Sequence, residues 1–449
     1  MRTFSFLTRI FLRIFVLAAI ASCGGGGGGG EPIHPPSISN LVYSPATALQ
    51  APNGTSIITG TIDFTDAGGD VGALHMVTSA GADLTIETPS LSGIKEGKAV
   101  GELVVSVNEI GKYTFEVWMT DAQGNASNRL SGTFEVRPDD SGTNWTKLDV
   151  SPPNILLGIT RNNVQYIAVG MGGTVMTSPD LNSWAVRTSD VIHNLRSVAS
   201  SGSRLVAVGD SAIGEPIVIS SMDGVTWSVQ YRGGSCGADS CATPSMLSSV
   251  IWTGTQFIAV GQERIFPGGS AYALILTSPD GLNWTQQAVQ AIVLGQPKIG
   301  TESGITSVAW SGNLLVAVGI AGDGYPAAWT STDAEAWTRR TVPGNVGYNL
   351  RDITWGNGRF VAVGWGGVPA VFTSSDGINW QGNSGDASLP AMNAVTTGVS
   401  NYLAVSNVFR EVSADGLAWT VAPSPDCGND VLWDGLRYVS VGGSICRSP

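Results

Sequence analysis

Histidine is scarce, with 3 residues in 449, and cysteine is nearly so, with 5. His34, His75 and His193 stand far apart and no two cysteines have the Cys-x-x-Cys spacing, which argues against a zinc site and against attached haem. Charge is thin, at 13% of residues, and leans acidic, with a formal net charge of -12. A chain short of cations repels phosphate backbones, so nucleic acid is not expected as a partner. The apolar run from Ile14 to Ile20 is too short to span a bilayer. Glycine, by contrast, is abundant at 59 residues, as turn-dense all-β chains require.

One pattern organises the rest. Ser278-Pro-Asp280-Gly281-Leu-Asn-Trp284 has the spacing Ser-x-Asp-x-x-x-Trp, which returns from Ser178 to Trp184, Ser221 to Trp227, Ser331 to Trp337, Ser374 to Trp380 and Ser413 to Trp419. Short polar side chains that bond nearby amides, a glycine tolerant of positive φ and an indole opening the next strand make a self-closed turn. Ala334 and Leu181 stand at the glycine position in two copies, so those turns are expected to be slightly strained. Ahead of each turn lie a Phe257-Ile-Ala-Val-Gly261-like stretch and, before it, a Ser249-Val-Ile-Trp252-like one, joined by a hairpin linker. Each unit therefore reads as four antiparallel strands, and a fixed period of this kind marks stacked supersecondary units.

Aligning on the end of the second strand gives seven units, at Gly170, Gly209, Gly261, Gly319, Gly364, Ser406 and Gly442. The seventh runs out after its third strand. An orphan fourth strand, Ser141 to Thr146, precedes the first unit. Borrowing it closes a ring and removes both sheet edges. The expected fold is all-β: a seven-bladed β-propeller over 141–449.

Residues 37–137 lack the turn. Ile57 to Phe64 and Lys112 to Trp118 alternate polar with apolar, and about seven short strands in this length suggest an immunoglobulin-like β-sandwich. Asp121 to Asn128, after Tyr113, resembles the turn following the penultimate strand of bacterial Ig-like and fibronectin-type spacers. Asp63, Asp66, Asp70, Asp121 and Asn125 lie on two inter-strand turns expected at one end of the sandwich. Their oxygens are of the kind Ca²⁺ takes, although Asp-x-x-Gly-Asp and Asp-x-x-Gly-Asn are also good turns in their own right, and that reading is preferred.

The N-terminus reads as an export signal, residues 1–22, with Arg2, Arg9 and Arg13 ahead of the apolar run. Ile20-Ala21-Ser22-Cys23 resembles the lipobox of bacterial lipoproteins, which implies lipidation of Cys23. Gly24 in place of aspartate after that cysteine implies the outer membrane of a Gram-negative cell, facing the periplasm or the outside. Loss of three arginines with the signal takes the formal charge from -12 to -15. Residues 23–36, with glycine from 24 to 30 and three prolines, form a flexible tether; a phosphate loop is excluded, because no strand precedes it and no Lys-Ser/Thr follows. In an oxidising compartment the four remaining cysteines are expected to pair, Cys236 with Cys241 inside one loop and Cys427 with Cys446 within the last unit.

Ser-x-Asp-x-x-x-Trp is the Asp-box, or BNR repeat, and 141–449 resembles Asp-box propellers, a group with sialidases, xyloglucanases, sortilin-type receptors and photosystem II assembly factors. In those families the box lies away from the site, so Asp180, Asp223, Asp280, Asp333, Asp376 and Asp415 receive no binding role. Recognition is expected on the opposite, loop-rich face, where Arg232 to Pro244, Glu263 to Ala271 and Gln290 to Gly304 read as insertions. His193, Arg196, Tyr231, Arg264, Phe266, Tyr325, Tyr348, Arg351 and Trp365 are the exposed candidates. Arg196 and Arg351 occupy equivalent places, either to grip a carboxylate or, as the preferred reading, to cap strand-end carbonyls. The expectation is a lipid-anchored protein that binds a protein or glycan. The alternative is a sialidase-like or other glycoside hydrolase, for which Glu263, Glu302, Asp323 and Asp352 stand on loops with nothing to pair them. Ser/His/Asp catalysis would depend on His193, which has no nucleophile context.

Overall fold

The computed structural model describes residues 11–14 and 35–449, apart from 52–53, 80, 143, 212–213, 234–244, 266–269, 288–291, 294–295, 298–303, 367–368, 385–390 and 425. Cys23, Cys236, Cys241, Phe266 and Glu302 lie outside the described residues. Two compact units divide between Asp139 and Asp140. Among the described residues no helix is long and apolar enough to cross a membrane.

In the first unit, alternation along Thr55–Thr65 and Gly111–Asp121 sends every second side chain inward. Ser37–Ser44, Thr55–Thr65 and Glu96–Ser106 form one sheet; in the full chain Phe11–Ile14, which lies within the expected export signal, is antiparallel on the outer edge of the last. Thr47–Leu49, Leu130–Arg137, Gly111–Asp121, Val71–Thr78 and Asp83–Glu87 form the other. Ile58, Phe64, Leu103, Phe115 and Phe134 fill the space between. The N-terminal stretch is split: Ser37–Ser44 pairs with Thr55–Thr65, whereas Thr47–Leu49 crosses to lie parallel to Leu130–Arg137.

The second unit is a β-propeller of four-stranded antiparallel sheets, seven among the described residues. Their innermost strands are Leu156–Arg161, Asn194–Ser200, Met246–Trp252, Gly304–Trp310, Asn349–Gly356, Ala394–Thr397 and Asp430–Trp433. Each adjoins the next, and the last adjoins the first. Apolar side chains fill the seams: Ile167, Val169 and Val175 of the first sheet meet Val198, Ala207 and Ile219 of the second. Leu156, Ile159 and Met176 of the first meet Val439, Val441 and Ile445 of the seventh. Neither face of such a sheet is left to water, which is what stabilises it.

The ring is closed by the start of the unit. Thr146–Lys147 pairs with Ile445–Arg447 as the fourth strand of the seventh sheet. Trp145 packs with Leu403, Val405, Val431 and Tyr438. Its indole N–H donates to the Gly142 carbonyl at 3.0 Å, the bond that Trp227 makes to Gly224. Asp140, buried, accepts from the amides of Ser400 (2.6 Å) and Asn401 (3.1 Å) in the sixth sheet. Cys427 and Cys446 are joined, with Cα atoms 6.0 Å apart.

The glycine ending the second strand has a steric cause. In the first five sheets the inner strand shifts register near its start, at Leu157, Arg196, Ser248, Thr306 and Arg351. The shift presses a carbonyl onto the neighbouring strand: a Cβ at Gly209 would stand 1.8 Å from the Asn194 oxygen. The expected insertion at Glu263 to Ala271 is largely not a loop, because Phe257–Ile265 and Ser270–Ser278 extend as one long hairpin whose ladder runs to Ile265 and Ser270.

Candidate functional site

The recurring turns occupy one face of the ring. In all six copies one carboxylate oxygen accepts the amides two and three residues on, at 2.8–2.9 Å. Those bonds hold all six aspartates below the usual carboxylate range. Leu181 and Ala334 adopt φ of 67° and 68° where the other copies have glycine, a strained choice for a side chain. One oxygen of each aspartate is thus spent on the turn, and in Asp280 and Asp376 the other accepts from Asn283 and Asn379. The opposite face carries the connections from second to third strand and from one sheet to the next.

On the second-sheet side of that face, the polar candidates are consumed by each other. His193 is buried, contrary to the expectation of exposure, with Nε2 3.2 Å from Glu215. Arg232 also reaches Glu215, at 3.4 Å. The register shift directs Arg196 to Asp210, which it grips through Nε and Nη2, so it caps no carbonyl. Among the described residues no hydroxyl or thiol bonds the His193 ring. Tyr231 is half-buried against the seam formed by Val206, Val250 and Phe257. Arg264 lies in the strand Phe257–Ile265, and Glu263 accepts from Gln286 at 2.7 Å.

The arc from the fourth to the sixth sheet is different. Tyr325 (44% exposed), Trp365 (46%) and Phe409 (36%) stand open there, and no other described aromatic is as exposed. Val346 and Val408 are exposed beside them. The Gly347 amide bonds the Gly324 carbonyl at 2.8 Å, which holds the Tyr325 and Val346 loops together. Tyr348, expected to be exposed, is buried: its ring and backbone lie beneath Gly366, where a Cβ would meet them at 2.6 Å, and so it supports the Trp365 turn. Arg351 is exposed and donates to Asn393, whose Nδ2 donates to Asn407 (2.9 Å) and to the Gly428 carbonyl (2.8 Å). This Arg-Asn-Asn chain replaces the expected carbonyl cap. Asp323 is paired with Arg339 at 2.7 Å. The site is thus an aromatic and apolar rim with one guanidinium and two amides set in it.

Asp352 is not on a loop. It lies in the inner strand of the fifth sheet, accepting from Ser307 Oγ (2.7 Å) and the Val395 amide (2.8 Å). Asp430, at the matching rung of the seventh sheet, accepts from the Ile159 amide at 2.8 Å and so ties the last sheet to the first. Burial raises both pKa values, and the charge of Asp352 adds to burial in pushing Asp430 up to about 7. Between the ordinary carboxylate value near 4 and about 7 the folded chain keeps a proton that the unfolded chain has lost. Stability from this group is therefore complete below pH 4 and falls as pH rises to 7. Thermal unfolding from pH 4.5 to 7.5 is expected to show the parent losing Tm relative to Asp430→Asn, which keeps an acceptor for Ile159. Parallel curves would contradict the assignment.

In the first unit, Asp63 pairs with Lys98 (2.8 Å) and Asn40 (2.9 Å). Asp66 accepts the amides of Gly68 (3.2 Å) and Asp70 (2.6 Å), and Asp121 those of Gln123 (2.9 Å) and Asn125 (2.8 Å). The two turns are adjacent, with the Ala122 amide 2.9 Å from the Asp70 carbonyl. Among the described residues no group of three or more His, Cys, Asp or Glu is placed to hold a metal.

No protein-family model matches the chain. No curated protein matches it either. Among solved structures, YCF48 bound to D1 peptide is similar at 18% identity and a TM-score of 0.46, over 69% of this chain and 96% of that one. Sqt1 of Saccharomyces cerevisiae is similar at 11% and 0.42, over 68% and 97%. A GH43 endo-arabinanase from Bacillus licheniformis is similar at 11% and 0.26, over 53% and 93%. At these values the likenesses carry no functional assignment.

Proposed function

We propose that the chain is an outer-membrane lipoprotein, anchored through Cys23, in which a tether and an Ig-like spacer carry a seven-bladed Asp-box propeller that binds a protein or glycan partner in the cell envelope. The observation that carries the reading is the gathering of exposed Tyr325, Trp365 and Phe409 on one arc of the loop face. Open aromatic surface around a few polar groups is how binding surfaces are built, and isolated turns do not require it. The described acids named for the hydrolase alternative are engaged: Asp352 holds a backbone amide, Asp323 holds Arg339 and Glu263 holds Gln286.

The test is capture from envelope extract. Trp365→Ala combined with Phe409→Ala is expected to lower recovery of the partner roughly 30-fold, the effect of losing a 2 kcal/mol anchor. Leu282→Ala, on the turn face, is expected to leave it unchanged. Equal recovery with all three chains, or turnover of glycosides or sialosides by the parent, would overturn the reading.

A further inference from the structure

The second and third strands of the sheets set a small residue beside a large one: Ala168 with Met176, Ala207 with Ile219, Ala259 with Leu276, Ala317 with Trp329 and Ala362 with Phe372. The large member plugs the seam with the preceding sheet, as Phe372 does among Val316, Val318 and Ala328. The rung is Ser440 with Cys446 in the seventh sheet, where a disulfide takes the plug's place. In the sixth it is Ala404 with Glu411. Glu411 is fully buried, and neither carboxyl oxygen has a hydrogen-bond partner. Its ladder neighbours Ala404 and Val421 pack with Val361, Val363 and Val371 of the fifth sheet, so the carboxyl shares that seam. Thr373, two residues beyond Val371, adds a buried hydroxyl without a partner; a Cβ at Gly416 of the sixth sheet would stand 3.1 Å from its methyl.

We propose that the seam between the fifth and sixth sheets is the opening point of the ring, shut while Glu411 is a neutral acid and released when it ionises. An apolar seam tolerates an unbonded neutral carboxyl at modest cost and rejects a carboxylate. The described groups packed there, Ala404, Tyr402, Trp419 and Val421 from its own sheet and Val361, Val363, Val371 and Thr373 from the fifth, include one titratable side chain, the Tyr402 phenol, whose hydroxyl donates to the Gly356 carbonyl at 2.6 Å. Arg410 is turned to the carbonyls of Gly142 and Pro423. Burial alone pushes Glu411 up to about 8. The folded value exceeds the unfolded one, so the stability of the closed seam is complete below about pH 4 and is lost as pH rises through 8. The next seam is held by the disulfide and the closing strand, so the sixth and seventh sheets would part from the fifth together.

Hydrogen exchange of the full chain at pH 6.5 and pH 9, corrected for the intrinsic rate, tests this. Phe409–Ser413 and Pro369–Ser374 are expected to lose protection about tenfold at pH 9, one unit above the titration. Leu205–Asp210, in the second sheet, is expected to keep its protection. Glu411→Gln and Glu411→Met are each expected to abolish the difference. Loss spread evenly over the ring, no loss at the seam, or the same loss in both variants would overturn the proposal. Should either variant fold poorly, the regional pattern in the parent decides alone.

Discussion

A chain without residues 140–147 is expected to lose on the order of 10 °C in Tm and to associate through its seventh sheet. Deletion removes the ladder of Thr146–Lys147 with Ile445–Arg447 and exposes that edge to other chains. It withdraws the Trp145 indole from Leu403, Val431 and Tyr438, and loss of a packed tryptophan costs about 3 kcal/mol or more. It also leaves the Ser400 and Asn401 amides without the Asp140 carboxylate. At roughly 2–4 °C per kcal/mol the sum reaches the stated shift. Trp145→Ala alone is expected to give about half of it without association. Calorimetry with light scattering distinguishes the two effects. A deleted chain that melts with the parent and stays monomeric would show that the closing strand is dispensable.

Replacing Cys427 and Cys446 by serine is expected to cost about 3 kcal/mol, the scale for a cross-link closing a loop of this order, here a separation of 19 residues. The loss should be at the upper end for such a loop. Cys446 holds the rung that large apolar side chains hold in five other sheets, and a serine pair there leaves both a cavity and two buried hydroxyls. Denaturant titration under non-reducing conditions reads it directly. A change below about 1 kcal/mol would mean that the seam between the sixth and seventh sheets is held by apolar contacts alone.

Most of the ring was legible because its determinants are local and repeated. A turn closed by its own aspartate, a glycine forced by a neighbouring carbonyl and an alternating strand recur often enough to be counted, and Trp145 betrayed the displaced strand. Exposure was legible only in part: Tyr325, Trp365 and Arg351 are exposed as expected, but two other candidates are not. His193 and Tyr348 sit on loops, yet His193 finds Glu215 and Tyr348 lies under Gly366, contacts between residues 18 or more apart in sequence. Arg196 and Arg351 were correctly paired as equivalents, but their partners, Asp210 and Asn393, follow from the register shift, which no local pattern announces. Two signals were present and unread: with the seven units aligned, Asp430 falls on the rung of Asp352, and Glu411 falls where the others carry Met176, Ile219, Leu276, Trp329 and Phe372.

The closed ring is tested most directly by cross-linking its two ends. Thr146 and Arg447 are register partners, so Thr146→Cys with Arg447→Cys is expected to form a disulfide within one chain on oxidation, identified by peptide mapping of the monomer. No such link, or a link found only between two chains, would contradict the ring and with it the recognition face that the ring creates.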